Sequence, residues 1–285
     1  MLGRQTSGSV VCTSCGCLVG VNDDRCYNCG RRNPGLWGYA TIVRRLGSDL
    51  GFVPFVIGLN VIMYVLTLIG SQGNIGMGGM MSMLAPNTTS LLLFGASGAV
   101  PVFLLDRWWT VLSAAWLHGG LLHIFFNMYW VRQLAPPVSE MYGPGRLVII
   151  YTVGAIAGFA MSSFAGAYFQ FMPLQMLRGA QLTVGASAPI FGLLGALVFY
   201  GQRTGSSQTY RQALSYAGIM FVFGLIMPGV DNYAHAGGFA GGYVASRLLD
   251  PLVPERINHL LAALICIGLS VLSIVASVVH GLMLG

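Results

Sequence analysis

Lysine is absent from the 285 residues, and charge of either sign is scarce at 8% of the chain. Soluble domains carry about a quarter charged residues, so 55% hydrophobic residues and a mean hydropathy of +0.72 exclude an ordinary soluble fold. The formal charge of +6 comes from 14 arginines lying between apolar stretches, with no basic stripe interleaved with aromatics. No nucleic-acid partner is expected from that pattern. An early apolar stretch is also missing, because residues 1–50 are polar and rich in Gly and Cys. No cleaved signal peptide is therefore expected, and the N-terminal segment should stay in the cytosol.

What is plentiful is apolar sequence in long runs. A bilayer core calls for roughly 20 apolar residues per helix, and seven stretches are candidates: 52–69, 113–132, 147–169, 187–202, 212–227, 233–249 and 259–283. Arginine placement orients them, since short arginine-rich loops stay on the cytoplasmic side. With the N-terminus inside, Arg4, Arg25, Arg31, Arg32, Arg44, Arg45, Arg132, Arg146, Arg203, Arg211, Arg247 and Arg256 are cytoplasmic. Only Arg107 and Arg178 lie outside. The expectation is an all-α polytopic membrane protein, N-terminus cytoplasmic and C-terminus extracytoplasmic. Its parts are a small module at 1–35, a linker at 36–50, a six-helix core at 51–250 and an additional C-terminal transmembrane helix at 251–285.

The module carries Cys12-Thr13-Ser14-Cys15-Gly16 and, ten residues later, Cys26-Tyr27-Asn28-Cys29-Gly30. Paired CxxC turns, each followed by Gly, can enclose one tetrahedral Zn²⁺ with Cys12, Cys15, Cys26 and Cys29. Unrelated thiols and redox disulfides are the alternatives; a reducing compartment disfavours the latter. Cys17 is spare, and Cys266 lies in the last span, where a thiol behaves as a small apolar group. So small a zinc-ribbon-like module would draw its folding energy from structural zinc. A closed four-cysteine site leaves no open position for chemistry, which suits a regulatory or docking head with a cytosolic partner.

Polar groups inside spans are costly, so each is a functional candidate. The second span holds His118, His123 and Asn127; the fourth opens with Gly185-Ala186-Ser187; the sixth opens with Tyr233-Ala234-His235. All three spans run from outside to inside, so the clusters share one depth. Taken singly, such residues more often just hydrogen-bond between helices. His123 and Asn127, four apart, share a helix face. His118, five residues earlier, should point elsewhere and pin the first external loop.

The fourth span is short, so it should begin within the membrane with Ser187 at its N-terminus, where free backbone N–H groups favour negative charge. Pro189 fits such a start. Upstream, Gln175 to Thr183 reads as a loop dipping into a water-filled cavity. Gly192 and Gly195 on the fourth span, with Gly238 and Gly242 on the sixth, permit close backbone approach. The two sixth-span glycines share a face with His235, which brings His235 toward Ser187. Phe191, one turn below Ser187, either stacks on that imidazole or simply packs the core. Gly95-Ala96-Ser97-Gly98 repeats the small-Ser-small pattern in the first external loop but has neither an adequate helix nor a partner glycine face.

A serine hydroxyl becomes nucleophilic when a base takes its proton, and a neutral imidazole suits that task. His235 is the candidate base for Ser187. His123, the Asn127 amide and the Ser187 N–H can stabilise an oxyanion. No carboxylate in the spans can orient the base, which implies a Ser-His dyad and leaves Asp231 as a helix cap. No cofactor is needed for catalysis.

Together these residues closely resemble the rhomboid family of intramembrane serine proteases. The matching features are His118-x4-His123-x3-Asn127, Glu140-x2-Gly143-x2-Arg146 in the following cytoplasmic turn, Gly185-Ala186-Ser187, and Ala234-His235-x2-Gly238-x3-Gly242, in order across residues 50–250. The resemblance implies a six-helix catalytic core, a Ser187/His235 dyad, an oxyanion hole including His123 and Asn127, and a substrate helix approaching beside the fifth span. It also implies single-span transmembrane substrates cut near a small residue. Three departures stand out. Ala188 follows the nucleophile where family members often have Gly. Asp106-Arg107-Trp108-Trp109 places its arginine before the tryptophans, so no loop-anchoring role is carried onto Arg107. The zinc-type head and seventh span lie outside the six-helix core. The rivals are a rhomboid-like pseudoprotease that binds transmembrane clients without cutting them, and a membrane transporter. Asn87-Thr88-Thr89 in the outer loop is a glycosylation-type triplet.

Overall fold

A computed structural model describes residues 3–13, 15–79, 82–174, 177–227 and 229–284. Ser14, Gln175 and Met176 lie outside the described residues, as do the side chains of Arg44 and Arg45. The chain divides into two compact units, Met1–Phe52 and Val53–Gly285.

The first unit opens with a two-stranded antiparallel hairpin, β1 (Ser9–Val11) and β2 (Leu18–Gly20), paired Ser9 to Gly20 and Val11 to Leu18. Alternation puts Val10 and Val19 on one face, where they join Cys12, Val21, Cys26 and Ala40 in a miniature core. A short helix, α1 (Ala40–Arg45), follows.

The second unit is helical: α2 (Phe52–Gly70), α3 (Thr88–Phe94), α4 (Thr110–Ser113), α5 (Leu121–Tyr142), α6 (Pro144–Tyr168), α7 (Ser187–Thr204), α8 (Ser207–Ile226), α9 (Asn232–Leu248) and α10 (Ile257–Leu284). By length and composition, α2, α6 and α10 can each cross a membrane unaided. A fourth candidate is the pair Thr110–Trp116 and Leu121–Tyr142, bent by 94°. α7 is buried without a break from Ala188 to Val198. A helix apolar on every side belongs in the centre of a bundle, and α6 and α9 pack on it closely, with α5 and α8 flanking. α10 lies against α6, α3 and α4.

Glycine sets the spacing at the centre. A Cβ on Gly242 would collide with the backbone of Gly192, and one on Gly238 with the carbonyl of Ala188. α7 and α9 therefore meet backbone to backbone, the close approach small residues permit.

The largest departures from the sequence expectation fall at three boundaries. The second span does not start at 113: Gly119 and Gly120 interrupt it, and the helix proper begins at Leu121. Glycine's backbone entropy disfavours a continuous helix there. At its other end α5 runs to Tyr142 through Pro136 and Pro137, so Glu140 is a helical residue, not part of a turn. The fifth helix starts at Ser207 instead of 212, because Ser206 caps it by accepting a hydrogen bond from the Thr209 N–H at 3.4 Å.

Candidate functional site

α7 starts at Ser187, and Ile190 N–H donates to Ala186 O at 3.0 Å to close its first turn. Pro189 has no N–H, which leaves the Ser187 and Ala188 amides at the mouth of the helix. Ser187 is half-buried, neither sealed nor open. The chain reaches it through Gly185 at φ +133°, a conformation side chains resist. Space demands glycine there as well, since a Cβ would lie 2.6 Å from His123 Nε2 and 3.5 Å from Asn127 Nδ2.

α5 supplies those two groups. Gly119 N–H donates to His123 Nδ1 at 3.4 Å, so the imidazole proton sits on Nε2, the nitrogen facing Gly185. Asn127 is buried, and its Nδ2 has no partner among the described residues. His118 is placed differently from expectation. It lies in the break before α5, fully buried, with its ring 5.1 Å from that of His123. Its Nε2 accepts from the Ala186 N–H at 3.5 Å. The helical wheel that turned it away from His123 does not apply, because residues 117–120 are not helical.

α9 brings His235. Its ring stacks on Phe191 with centroids 4.2 Å apart and planes 14° from parallel. Phe191 lies one turn below Ser187, so the imidazole is held flat against the first turns of α7. Among the described residues, His235 Nδ1 has no hydrogen-bond partner, and no hydrogen bond joins Ser187 to His235. Catalytic hydrogen bonds are commonly long without substrate. Asp231 does not reach the imidazole. Its carboxylate accepts from the Ala234 N–H at 3.0 Å and from the Ser162 hydroxyl, capping α9. Three buried polar nitrogens without partners, on His118, Asn127 and His235, thus gather around one helix start. Buried polar groups are almost always paired, so among the described residues this cluster marks a polar pocket that water, a ligand or a reacting group would fill.

The profile of the Rhomboid domain matches residues 105–251, just over half of the chain. The chain belongs to the rhomboid family. Similar rhomboids include RHOMBOID-like protein 4 of Arabidopsis thaliana, 29% identical over 59% of this chain and 40% of its own. Rhomboid protease GluP of Bacillus subtilis (strain 168) is 30% identical over 65% of this chain and 34% of its own. Inactive RHOMBOID-like protein 8 of Arabidopsis thaliana is 26% identical over 55% and 42%. The chain spans less than half the length of each of these three relatives. Family and apolar helices together make this rhomboid an integral membrane protein.

Residues set aside in the sequence hold the site's approach together. Ser97 is fully buried and exchanges two backbone hydrogen bonds with Thr183, at 3.0 and 2.8 Å. It fastens the segment leading to Ser187, a role its small-residue turn was the only signal for. Arg107, contrary to the expectation from its place before the tryptophans, is buried and anchors the loop: Nη1 donates to Leu92 O at 2.8 Å and Nη2 to Ser277 O at 2.9 Å. Reversed order beside the tryptophans does not stop a long guanidinium from finding carbonyls. Arg146 is buried at the far end, donating to Val253 O at 2.7 Å and to His259 Nδ1 at 3.1 Å. Asn87 caps α3 by accepting from the Ser90 N–H at 2.8 Å, while its own amide donates to Ser71 O.

In the first unit the sulfurs of Cys12, Cys15, Cys26 and Cys29 lie within 4.8 Å of one another and could hold a metal ion. The two CxxC segments fold alike. Cys12 N–H donates to Cys17 O and Gly16 N–H to Cys12 O; Cys26 N–H donates to Arg31 O and Gly30 N–H to Cys26 O. Gly16 at φ +76° and Gly30 at φ +71° make both turns possible. Cross-knuckle separations of 3.8 Å (Cys12 to Cys29) and 3.5 Å (Cys15 to Cys26) approach the sulfur spacing of about 3.8 Å that tetrahedral bonds of ~2.3 Å require. The Cys17 N–H and then the Asn28 side chain hold the Cys15 thiol down at about 6.

Proposed function

We propose that this rhomboid is an intramembrane serine endopeptidase, cleaving transmembrane segments through Ser187 and His235. The observation that carries the reading is the cluster of unpartnered buried nitrogens around the start of α7. Ser187 Oγ attacks the scissile carbonyl carbon while the His235 imidazole takes its proton. The carbonyl oxygen becomes an oxyanion, accepting from His123 Nε2–H, Asn127 Nδ2–H and the Ser187 N–H. Collapse breaks the C–N bond, and the imidazolium returns its proton to the departing amine. Water activated by the same imidazole then hydrolyses the acyl ester. Phe191 keeps the imidazole in plane, a part that Asp231, occupied as a cap, cannot play. His118 holds the Ala186 amide, and Gly185 makes room for His123.

Substrates would be single-span membrane proteins, reaching the site from the lipid beside α8. Arginine distribution favours a cytoplasmic N-terminus and an extracytoplasmic C-terminus. The four thiolates of the first unit would hold one structural Zn²⁺, soft donors in a closed set, making residues 1–35 a zinc-ribbon-like module for a cytosolic partner.

A fluorophosphonate added to the purified protein should label Ser187, and Ser187→Ala should abolish both labelling and cleavage of a single-span substrate. Cleavage persisting in that variant would defeat the assignment. An unlabelled wild type that still binds a transmembrane client would favour a pseudoprotease.

A further inference from the structure

We propose that α10 positions the turn bearing Ser187, with Ser277 as the point of attachment; this rests on reading Ser187 as the nucleophile. Ser277 is fully buried and is gripped twice by the loop between α3 and α4. Its carbonyl accepts from Arg107 Nη2 at 2.9 Å, and its hydroxyl lies 3.1 Å from Trp109 Nε1 as acceptor. The Trp109 ring also meets His280 edge-on at 5.7 Å. A Cβ on Gly95 would lie 2.6 Å from Ser277 Oγ, so the loop backbone is pressed against α10. Ser270, Ser273 and Ser277 are all buried along this face of α10.

From this clasp, hydrogen bonds joined by short stretches of chain lead to the site. Arg107 O accepts from Thr110 Oγ1 at 2.7 Å, and that hydroxyl is 3.3 Å from Ser97 Oγ. Ser97 is bridged to Thr183 on both sides. On a second branch, Ser113 Oγ donates to Gly95 O at 2.7 Å, and Ala114 O, the next carbonyl, accepts from the Gly185 N–H at 2.9 Å. Gly185 is two residues from Ser187, and a Cβ there would collide with His123. Irregular backbone at membrane depth is tolerated only when buried in protein. α10 supplies part of that burial, so loosening its grip frees the loop and, through it, the Ser187 turn.

Three full-length variants test this in lipid nanodiscs: Ser277→Ala, Trp109→Phe and the double. Amide exchange at Thr183 and Gly185 should rise roughly three- to tenfold in each single variant, the effect of one hydrogen bond. The double variant should add little, because both changes break the same contact. Amides of α9 from 238 to 246 should keep their wild-type exchange. With a cleavable single-span substrate, kcat should fall by a similar factor while KM holds. Unchanged exchange at 183 and 185, equal acceleration in α9, or multiplicative effects in the double variant would each overturn the inference. If the wild type cleaves nothing, the protease reading fails while the exchange measurement still decides the role of α10.

Discussion

Replacing Gly185 with alanine puts one methyl group where the site has no room. The new Cβ would lie 2.6 Å from His123 Nε2 and 2.7 Å from Cε1, against a tight contact limit of 3.4 Å. Relief requires the imidazole or the Ser187 turn to move by 3.4 − 2.6 = 0.8 Å. Misplacement of about 1 Å can cost 10²-fold in rate, equivalent to about 2.7 kcal/mol of barrier. The backbone at φ +133° adds strain of order 1–3 kcal/mol for any side chain. The expected result is a loss of about 100-fold in kcat with little change in KM, measured on a single-span substrate alongside the rate of fluorophosphonate labelling. Combining Gly185→Ala with His123→Ala separates the causes. Removing the imidazole removes the collision but not the backbone strain, so the double variant should lose much less than the product of the two single losses. Full activity in Gly185→Ala, or losses that multiply in the double variant, would refute the steric account.

Asp231→Ala should lower stability by about 1 kcal/mol through loss of the α9 cap. It should leave the pH dependence of labelling unmoved; a shift in that profile would mean that the carboxylate reaches His235. Gly242→Ala should destabilise the protein by about 1–3 kcal/mol in thermal unfolding, because overpacking must spread α7 and α9. Wild-type stability in that variant would contradict the backbone contact at Gly192. In the first unit, metal retention should fall as pH drops, because protons compete with the metal for all four sulfurs; Cys29, raised to about 11, is the most readily protonated, and Cys15, held down at about 6, is the last to be lost as a ligand. The sign is fixed by competition between protons and metal for sulfur; retention that is flat from pH 8 to 5 by elemental analysis would contradict it.

The all-α membrane class is legible because composition alone forces it, although of the seven apolar stretches only α2, α6, α10 and the bent pair are long and apolar enough to cross a membrane among the described residues. Boundaries were less so. Hydropathy gives no warning of a 94° bend, and a helical direction for His118 has no meaning where Gly119 and Gly120 break the helix. The convergence of α7 and α9 could be anticipated from the spacing of Gly192, Gly238 and Gly242, since a missing side chain is a visible sign of close approach. Ser97 and Arg107 show the opposite case. Both work through backbone partners distant in the chain, Thr183 and Ser277, and a carbonyl leaves no trace in residue identity. In the N-terminal unit, the glycine after each second cysteine did foretell the turn, because a positive φ is a requirement a sequence can display.

The seam where Gly192 meets Gly242 has a further bearing on how such a molecule can vary. A joint made of main chain has no rotamers, so any side chain added there can only force it wider. The interval between the two central helices is therefore a fixed dimension, indifferent to lipid thickness or to repacking at the periphery. Adaptation to new membranes is left to the outer helices, while the innermost pair admits change only by coming apart.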